Sequence, residues 1–235
     1  MGKIKIILVR KKRVVLFFVV IVMIFAFGEL TKEKVKTTLT DSDSKPTVVI
    51  DPGHGGVDSG ALFEGILEKD ITLDISLYIK TLLQENNISH LLTRDKDVDL
   101  GGEFTKGRHR RDLVARREII NRGKLAVSIH VNTIDNINEE GAVIFYAQGS
   151  KEGEKLADCI LTELGKVQKL NYPQPIPNTS FFLLRTSNPP VVLVELGFLS
   201  NKNDRLKLTD NDFRKKCAQA IVKGIKKYLE NVNQD

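Results

Sequence analysis

Four side chains stand where chemistry would need them. His54 lies in the glycine-rich run Asp51-Pro52-Gly53-His54-Gly55-Gly56, and His130 lies in Ser128-Ile129-His130-Val131-Asn132. Glu195 ends the apolar run Val191-Val192-Leu193-Val194, and Glu68 opens a helical pattern. Two imidazoles and one carboxylate are a common ligand set for catalytic zinc, which takes three protein ligands and leaves its fourth position to water. Such an ion brings the pKa of its water towards 7, and a second carboxylate nearby can take and return the proton. The glycines flanking His54 let the backbone turn sharply and bring the ring close to a ligand. Singly, each residue has a plainer account. His54 is then a turn residue, His130 a hydrogen-bonded core histidine, and Glu68 a carboxylate favoured by a helix N-terminus. Glu195 resists such an account more, because a carboxylate ending so apolar a run is costly to bury without a partner.

These residues are far apart in the chain, so a fold must bring them together. Thr47–Ile50, Ser89–Leu92, Leu125–His130, Ala142–Tyr146 and the continuous β-branched run Val191–Leu196 read as strands, with Phe181–Leu184 as a further short one. Helical spacing runs through Glu68–Glu85 (Ile71, Ile75, Ile79, Leu82) and Arg110–Arg122 (Leu113, Ile119, Ile120). It recurs in Lys151–Val167 (Leu156, Ile160, Leu164, Val167) and Asp212–Leu229 (Phe213, Cys217, Ala220, Ile221, Gly224, Ile225, Tyr228). Strands alternating with helices predict a single α/β domain, a mostly parallel or mixed sheet of about six strands with helices on both faces. Ligands bind outside the carboxyl ends of strands in such sheets, and His54, His130 and Glu195 all follow or end strands.

Of the 235 residues, 41% are apolar and 28% charged, a globular balance. The net charge of +6 does not make a nucleic-acid binder. Lys3, Lys5, Arg10, Lys11, Lys12 and Arg13 precede residue 28 with no acid among them, which leaves 30 of the 36 Lys and Arg against 30 Asp and Glu. The basicity therefore belongs to one short segment and not to the folded part. That segment continues into the apolar run Val14–Phe27, the length of a signal-peptide core and short for a membrane span. Residues 1–28 are expected to be an export signal or a short membrane anchor, residues 29–45 a polar linker, and residues 46–231 one catalytic domain. Cys159 and Cys217 fall on separate helical patterns and read as free thiols, neither with a histidine close in sequence to make it a nucleophile.

From about Val48 to Tyr228 the chain resembles the zinc-dependent N-acetylmuramoyl-L-alanine amidases of the amidase-3 family. The matching segments are Ile50–Gly56 (IDPGHGG), Glu68–Asp70 (EKD), Thr93-Arg94, Ser128–Asn132 (SIHVN) and Pro189–Asn201 (PPVVLVELGFLSN), in that order. The resemblance implies that His54, Glu68 and His130 bind one zinc ion per chain and that Glu195 is the catalytic carboxylate. Glu64 competes as a carboxylate, but the EKD match selects Glu68. The implied reaction is hydrolysis of the amide joining N-acetylmuramic acid to L-alanine in peptidoglycan. Arg94 and Asn132 are candidate substrate contacts, while Arg116 reads as an ion-pair residue. The plan carries no wall-binding repeat and no long insertion between Tyr146 and Lys151 such as activator-controlled family members have. It is most similar to the germination-specific spore-cortex (CwlD-type) members, which act before muramic-δ-lactam is made. An exported domain with no targeting module implies a place outside the cytoplasmic membrane, in the wall or the spore intermembrane space. It also leaves room for an accessory or activating protein. Two other readings share the residues: an exported zinc carboxypeptidase or endopeptidase acting on wall peptides, and a membrane-tethered, catalytically silent binding protein.

Overall fold

The computed structural model of the protein describes residues 47–232. The expected leader over 1–28 and linker over 29–45 lie outside the described residues, among which no helix is long and apolar enough to cross a membrane. The chain runs β1 (Val48–Pro52), β2 (Leu62–Phe63), β3 (Ile66–Leu67), α1 (Glu68–Glu85), β4 (His90–Leu92), α2 (Arg108–Ile120) and β5 (Leu125–Asn132). It continues through β6 (Val143–Ala147), α3 (Lys151–Leu164), β7 (Ile176–Asn178), α4 (Phe182–Thr186), β8 (Val191–Phe198), α5 (Lys202–Thr209) and α6 (Asn211–Val232). Six strands form one sheet in the order β4-β1-β5-β8-β6-β7, with β2 and β3 a separate small hairpin. Strands β4, β1, β5 and β8 are parallel, β6 runs against β8, and β7 follows β6. This is the expected mixed α/β sheet.

The central strands are apolar throughout because helices cover both faces. Val48, Ile50, Leu125, Val127, Ile129, Val192, Val194 and Leu196 pack under α1, α3 and α6. On the other face Val49, Ala126, Val191 and Leu193 meet Ile120 of α2 and Leu183 and Leu184 of the short α4. Side chains alternate along a strand, so Asp51, Ser128, His130 and Glu195 fall on this second, more thinly covered face. There, beyond the last apolar contacts, the sheet opens towards its carboxyl ends.

Helix α1 spans the expected residues, although Leu83 and not Leu82 completes its buried stripe. Phe181–Leu184 is not a strand. Asn178 Oδ1 accepts hydrogen bonds from the backbone N–H of Ser180 (2.7 Å) and Phe181 (2.8 Å), which turns the chain into α4. A four-residue apolar run carries too little periodicity to separate helix from strand. The sixth strand is β7 instead, an edge strand containing Pro177, where a missing N–H is tolerated. Helix α5 has no apolar stripe to mark it in the sequence; its N-cap is Asn201, whose side chain accepts from the N–H groups of Asn203 and Asp204. Both cysteines are free, and burial pushes the Cys217 thiol up to about 12, far from thiolate formation at neutral pH.

Helices α3 and α6 cross at Gly224, where a Cβ would lie 2.5 Å from Ile160 Cα. Alanine is a better helix former than glycine, yet here its methyl meets backbone. Gly224→Ala is expected to lose about 1–3 kcal/mol through overpacking, read from the urea midpoint at unchanged m-value. A more stable variant would show that the helices separate freely.

Candidate active site

The first residue of α1 organises the site. Glu68 is 4% exposed, and each carboxylate oxygen faces one backbone donor and one imidazole. Oε1 accepts from Val131 N–H (3.0 Å) and lies 2.9 Å from His130 Nδ1. Oε2 accepts from Ala61 N–H (2.7 Å) and lies 3.2 Å from His54 Nε2. The two rings stand nearly perpendicular, at 83°, with centroids 5.0 Å apart. One ligand atom from each of His54, Glu68 and His130 falls within 4.8 Å of the others. The sequence-predicted trio therefore converges.

The loop that brings His54 here is held from behind. His54 has a left-handed backbone with φ of 60°, uncommon outside glycine. Arg116 donates to the His54 carbonyl and to the Pro52 carbonyl (2.7 Å). Its guanidinium also binds Asp112 (2.7 Å) and Asp51 (2.9 Å), all of it buried. Asp51 further accepts from the hydroxyls of Thr93 and Ser128, each at 2.6 Å. At Gly53 the backbone passes directly under His130; a Cβ there would lie 2.4 Å from ring atom Cε1, so only glycine leaves the ring its place.

The electrostatics favour a cation between these groups. Burial alone would raise the Glu68 carboxyl, but His130 and His54 override it and hold it well below the usual range. Burial alone would lower the His54 imidazole, yet the carboxylates of Asp58 and Glu68 push it up to about 10. A pocket that so stabilises positive charge on a ring nitrogen also suits a divalent ion sharing the same carboxylate, and the N, N, O donor set is that of zinc hydrolases. Glu195 is the opposite case. It pairs in register with His130 across β5 and β8, is 8% exposed, and leaves Oε2 buried without a hydrogen-bond partner. Burial pushes its carboxyl up to about 7; Glu68 adds to this while His130 and His54 oppose it. Two carboxylates in one cavity thus have their proton affinities driven apart, the usual division between a ligand and a proton carrier.

A cavity of about 530 Å³ opens over these groups, with Asn132, Phe181 and Phe182 in its walls. Asn132 accepts from Thr133 N–H at 2.8 Å. Arg94 is not on the cavity lining. It is 3% exposed, and its guanidinium donates to the carbonyls of Pro52, Gly53, Lys69 and Lys96, tying the His54 loop to α1. Arg94, a candidate substrate contact in the sequence, thus braces the loop from behind, sharing its carbonyl acceptors with Arg116 at Pro52 and with the Thr72 hydroxyl at Gly53 and Lys69. Glu64 sits exposed in the β2–β3 turn, 3.0 Å from Arg205, away from the trio. Asp58 and His109, which also line the cavity, carried no signal: loop spacing does not fix geometry, and His109 read as part of a charged run.

Known proteins resemble the chain over the same stretch that builds this site. The family model Amidase_3, described as N-acetylmuramoyl-L-alanine amidase, matches residues 48–227. The germination-specific N-acetylmuramoyl-L-alanine amidase of Bacillus subtilis (strain 168) is 36% identical over 187 residues, covering 77% of this chain and 79% of that protein. The CwlD amidase of Clostridioides difficile, solved in complex with the GerS lipoprotein, superposes with a TM-score of 0.74 at 36% identity, over 79% of this chain and 98% of that one. The AmiC2 amidase of Nostoc punctiforme does so with a TM-score of 0.66 at 34% identity, over 80% and 98%.

The Asp51–Arg116 pair behind the loop gives an acid-stability test. Burial alone would raise the Asp51 carboxyl, but Arg116, Ser128 and Thr93 hold it below its ordinary value of 3.8. Its stabilisation is therefore complete above that value and lost as pH falls through the lower, folded-state pKa. Asp51→Asn, which leaves Arg116 buried and short of a partner, is expected to lose about 3–5 kcal/mol at pH 7. The gap to wild type, read from urea midpoints, should narrow as pH drops below 3.8. A gap independent of pH would contradict the charge-pair account.

Proposed function

The chain belongs to the Amidase_3 family of N-acetylmuramoyl-L-alanine amidases, and from that premise we propose that it cleaves the muramoyl–alanine amide with one zinc ion held by His54, Glu68 and His130, and with Glu195 carrying the proton. It is an amidase of peptidoglycan. The observation that carries the residue assignment is the pairing of a clamped carboxylate with a partnerless one in the same cavity: Glu68 between two imidazoles, Glu195 with a buried oxygen that nothing satisfies.

When bound, zinc supplies a Lewis acid for the amide carbonyl and makes a water acidic enough to attack near neutral pH. The chain's own residues do the rest. His54 and His130 present ring nitrogens towards Glu68, and the braces through Arg94 and Arg116 fix the loop that carries the first of them. Glu195 accepts a proton as the water oxygen bonds to the carbonyl carbon, then delivers it to the alanine nitrogen as the carbon–nitrogen bond breaks. A carboxyl poised near neutrality suits both transfers. The products are a muramic acid bearing a free lactyl carboxylate and a stem peptide with a free N-terminal alanine. An exopeptidase would need a cation free to grip a terminal carboxylate. Arg94 and Arg116, beside this site, are both buried and engaged by the fold.

The likeness to a germination-specific amidase supports a role in spore-cortex remodelling, with stem removal preceding muramic-δ-lactam formation. It also supports an extracytoplasmic location reached through residues 1–28. The CwlD amidase was solved with a lipoprotein, and an accessory protein of that kind is proposed for this chain too.

Digestion of purified cortex peptidoglycan, followed by mass spectrometry, tests the assignment. Stems with free N-terminal alanine are expected, and a chelator should abolish them until zinc is restored. Glu195→Gln should lower turnover at least 100-fold, as loss of a general base does, while retaining about one zinc per chain. Shortened stems, chelator-resistant turnover, or a fully active Glu195→Gln variant would each contradict it.

A further inference from the structure

One carboxylate beside the trio has no role in the reaction just described. Asp58 follows His54 by four residues in the same loop. Its Oδ1 lies 3.1 Å from His54 Nδ1, the ring nitrogen turned away from Glu68, whereas Nε2 points to Glu68 at 3.2 Å. His54 Nδ1 is shielded from solvent and makes no aligned hydrogen bond, so the Asp58 carboxylate at 3.1 Å is the charge that faces it. The carboxylate is itself anchored. Gly60 N–H donates to the same Oδ1 at 3.1 Å. The backbones of Gly55 and Asp58 exchange two hydrogen bonds, Gly55 N–H to Asp58 O (2.9 Å) and Asp58 N–H to Gly55 O (3.1 Å). Its other oxygen lies 3.7 Å from Nδ1 of the exposed His109 at the cavity lining. The short loop between His54 and Glu68 thus closes on itself around the ring.

From this geometry we infer that Asp58 is a positioning residue: it faces His54 Nδ1, fixes the ring plane, and so leaves Nε2 as the nitrogen turned to the metal site. The inference rests on the zinc reading above. An imidazole has two nitrogens, and which one is free to ligate is set by what the other one touches. Without Asp58 nothing behind the ring would fix which nitrogen turns to the site, and the ring could rotate about its side-chain bonds. Ordering it would then fall to the metal, and affinity would drop. A negative charge close behind the ring also makes the facing nitrogen a stronger donor. Asp58 acts only through His54.

The test is zinc affinity of the purified full chain, measured by competition with a chromophoric chelator, so that it does not depend on turnover. Asp58→Asn keeps the size and the acceptor for Gly60 N–H but removes the charge; Asp58→Ala removes both. Outer partners of metal ligands are generally worth 10–100-fold in affinity. Zinc binding is expected to weaken at least 10-fold in the alanine variant and by a smaller factor in the asparagine variant, with stoichiometry unchanged at saturation. In ¹⁵N spectra of the zinc-bound protein, the His54 Nδ1 proton should exchange slowly in wild type and rapidly in Asp58→Ala. Asparagine and alanine variants that both bind zinc within twofold of wild type would overturn the positioning role. His54→Ala separates that failure from failure of the site itself. If it also binds like wild type, the metal assignment is wrong; if it loses zinc while the Asp58 variants keep it, only the role of Asp58 falls.

Discussion

A carboxylate withdrawn from water must be given positive charge or donors, and the site is arranged around how Glu68 meets that demand. Two backbone N–H groups and two imidazoles surround its oxygens, two partners to each. Those contacts join the loop after β1, the start of α1 and the end of β5. His130, towards the end of β5, lies 62 residues beyond Glu68 in the chain, so the site exists only where the sheet order puts β1 beside β5 and lays α1 across them. The arrangement holds positive charge between carboxylates, and this is the property a divalent ion would use.

The asymmetry of the two sheet faces decides where that centre can be reached. Three helices seal one face with side chains from every central strand, while the other receives the shorter α2 and α4. Alternation along β1, β5 and β8 sends Asp51, Ser128, His130 and Glu195 to the thinner side. Near the middle of the sheet, polar groups on this side are paired inside the protein, as in the Asp51–Arg116–Asp112 cluster. At the strand ends Glu195 is left without a partner, next to the cavity. One stretch of this face thus passes from structural to chemical use within a few residues.

Much of this was legible in the sequence because it depends on local pattern. Long periodic segments gave α1, α3 and α6, and apolar runs gave β1, β5 and β8. The rule that α/β sites lie past strand ends singled out His54, His130 and Glu195. The resemblance to the amidase family selected Glu68 over Glu64, a choice that spacing alone left open. The rest depended on contacts that pattern does not carry. Phe181–Leu184 became a helix because Asn178 turns the chain just before it. Arg94 looked like a substrate contact, but an arginine's reach lets it serve four carbonyls behind the loop as easily as a ligand in front of it. Asp58 was invisible because a loop of glycines has no fixed period.

The most direct measurement is an anomalous difference map from crystals of the protein grown with zinc, collected on either side of the zinc absorption edge. A single strong peak bounded by His54, Glu68 and His130, with Glu195 alongside and not within bonding distance, is the expected result. A peak elsewhere on the chain, or one bonded to Glu195 in place of Glu68, would contradict the assignment of ligand and proton carrier.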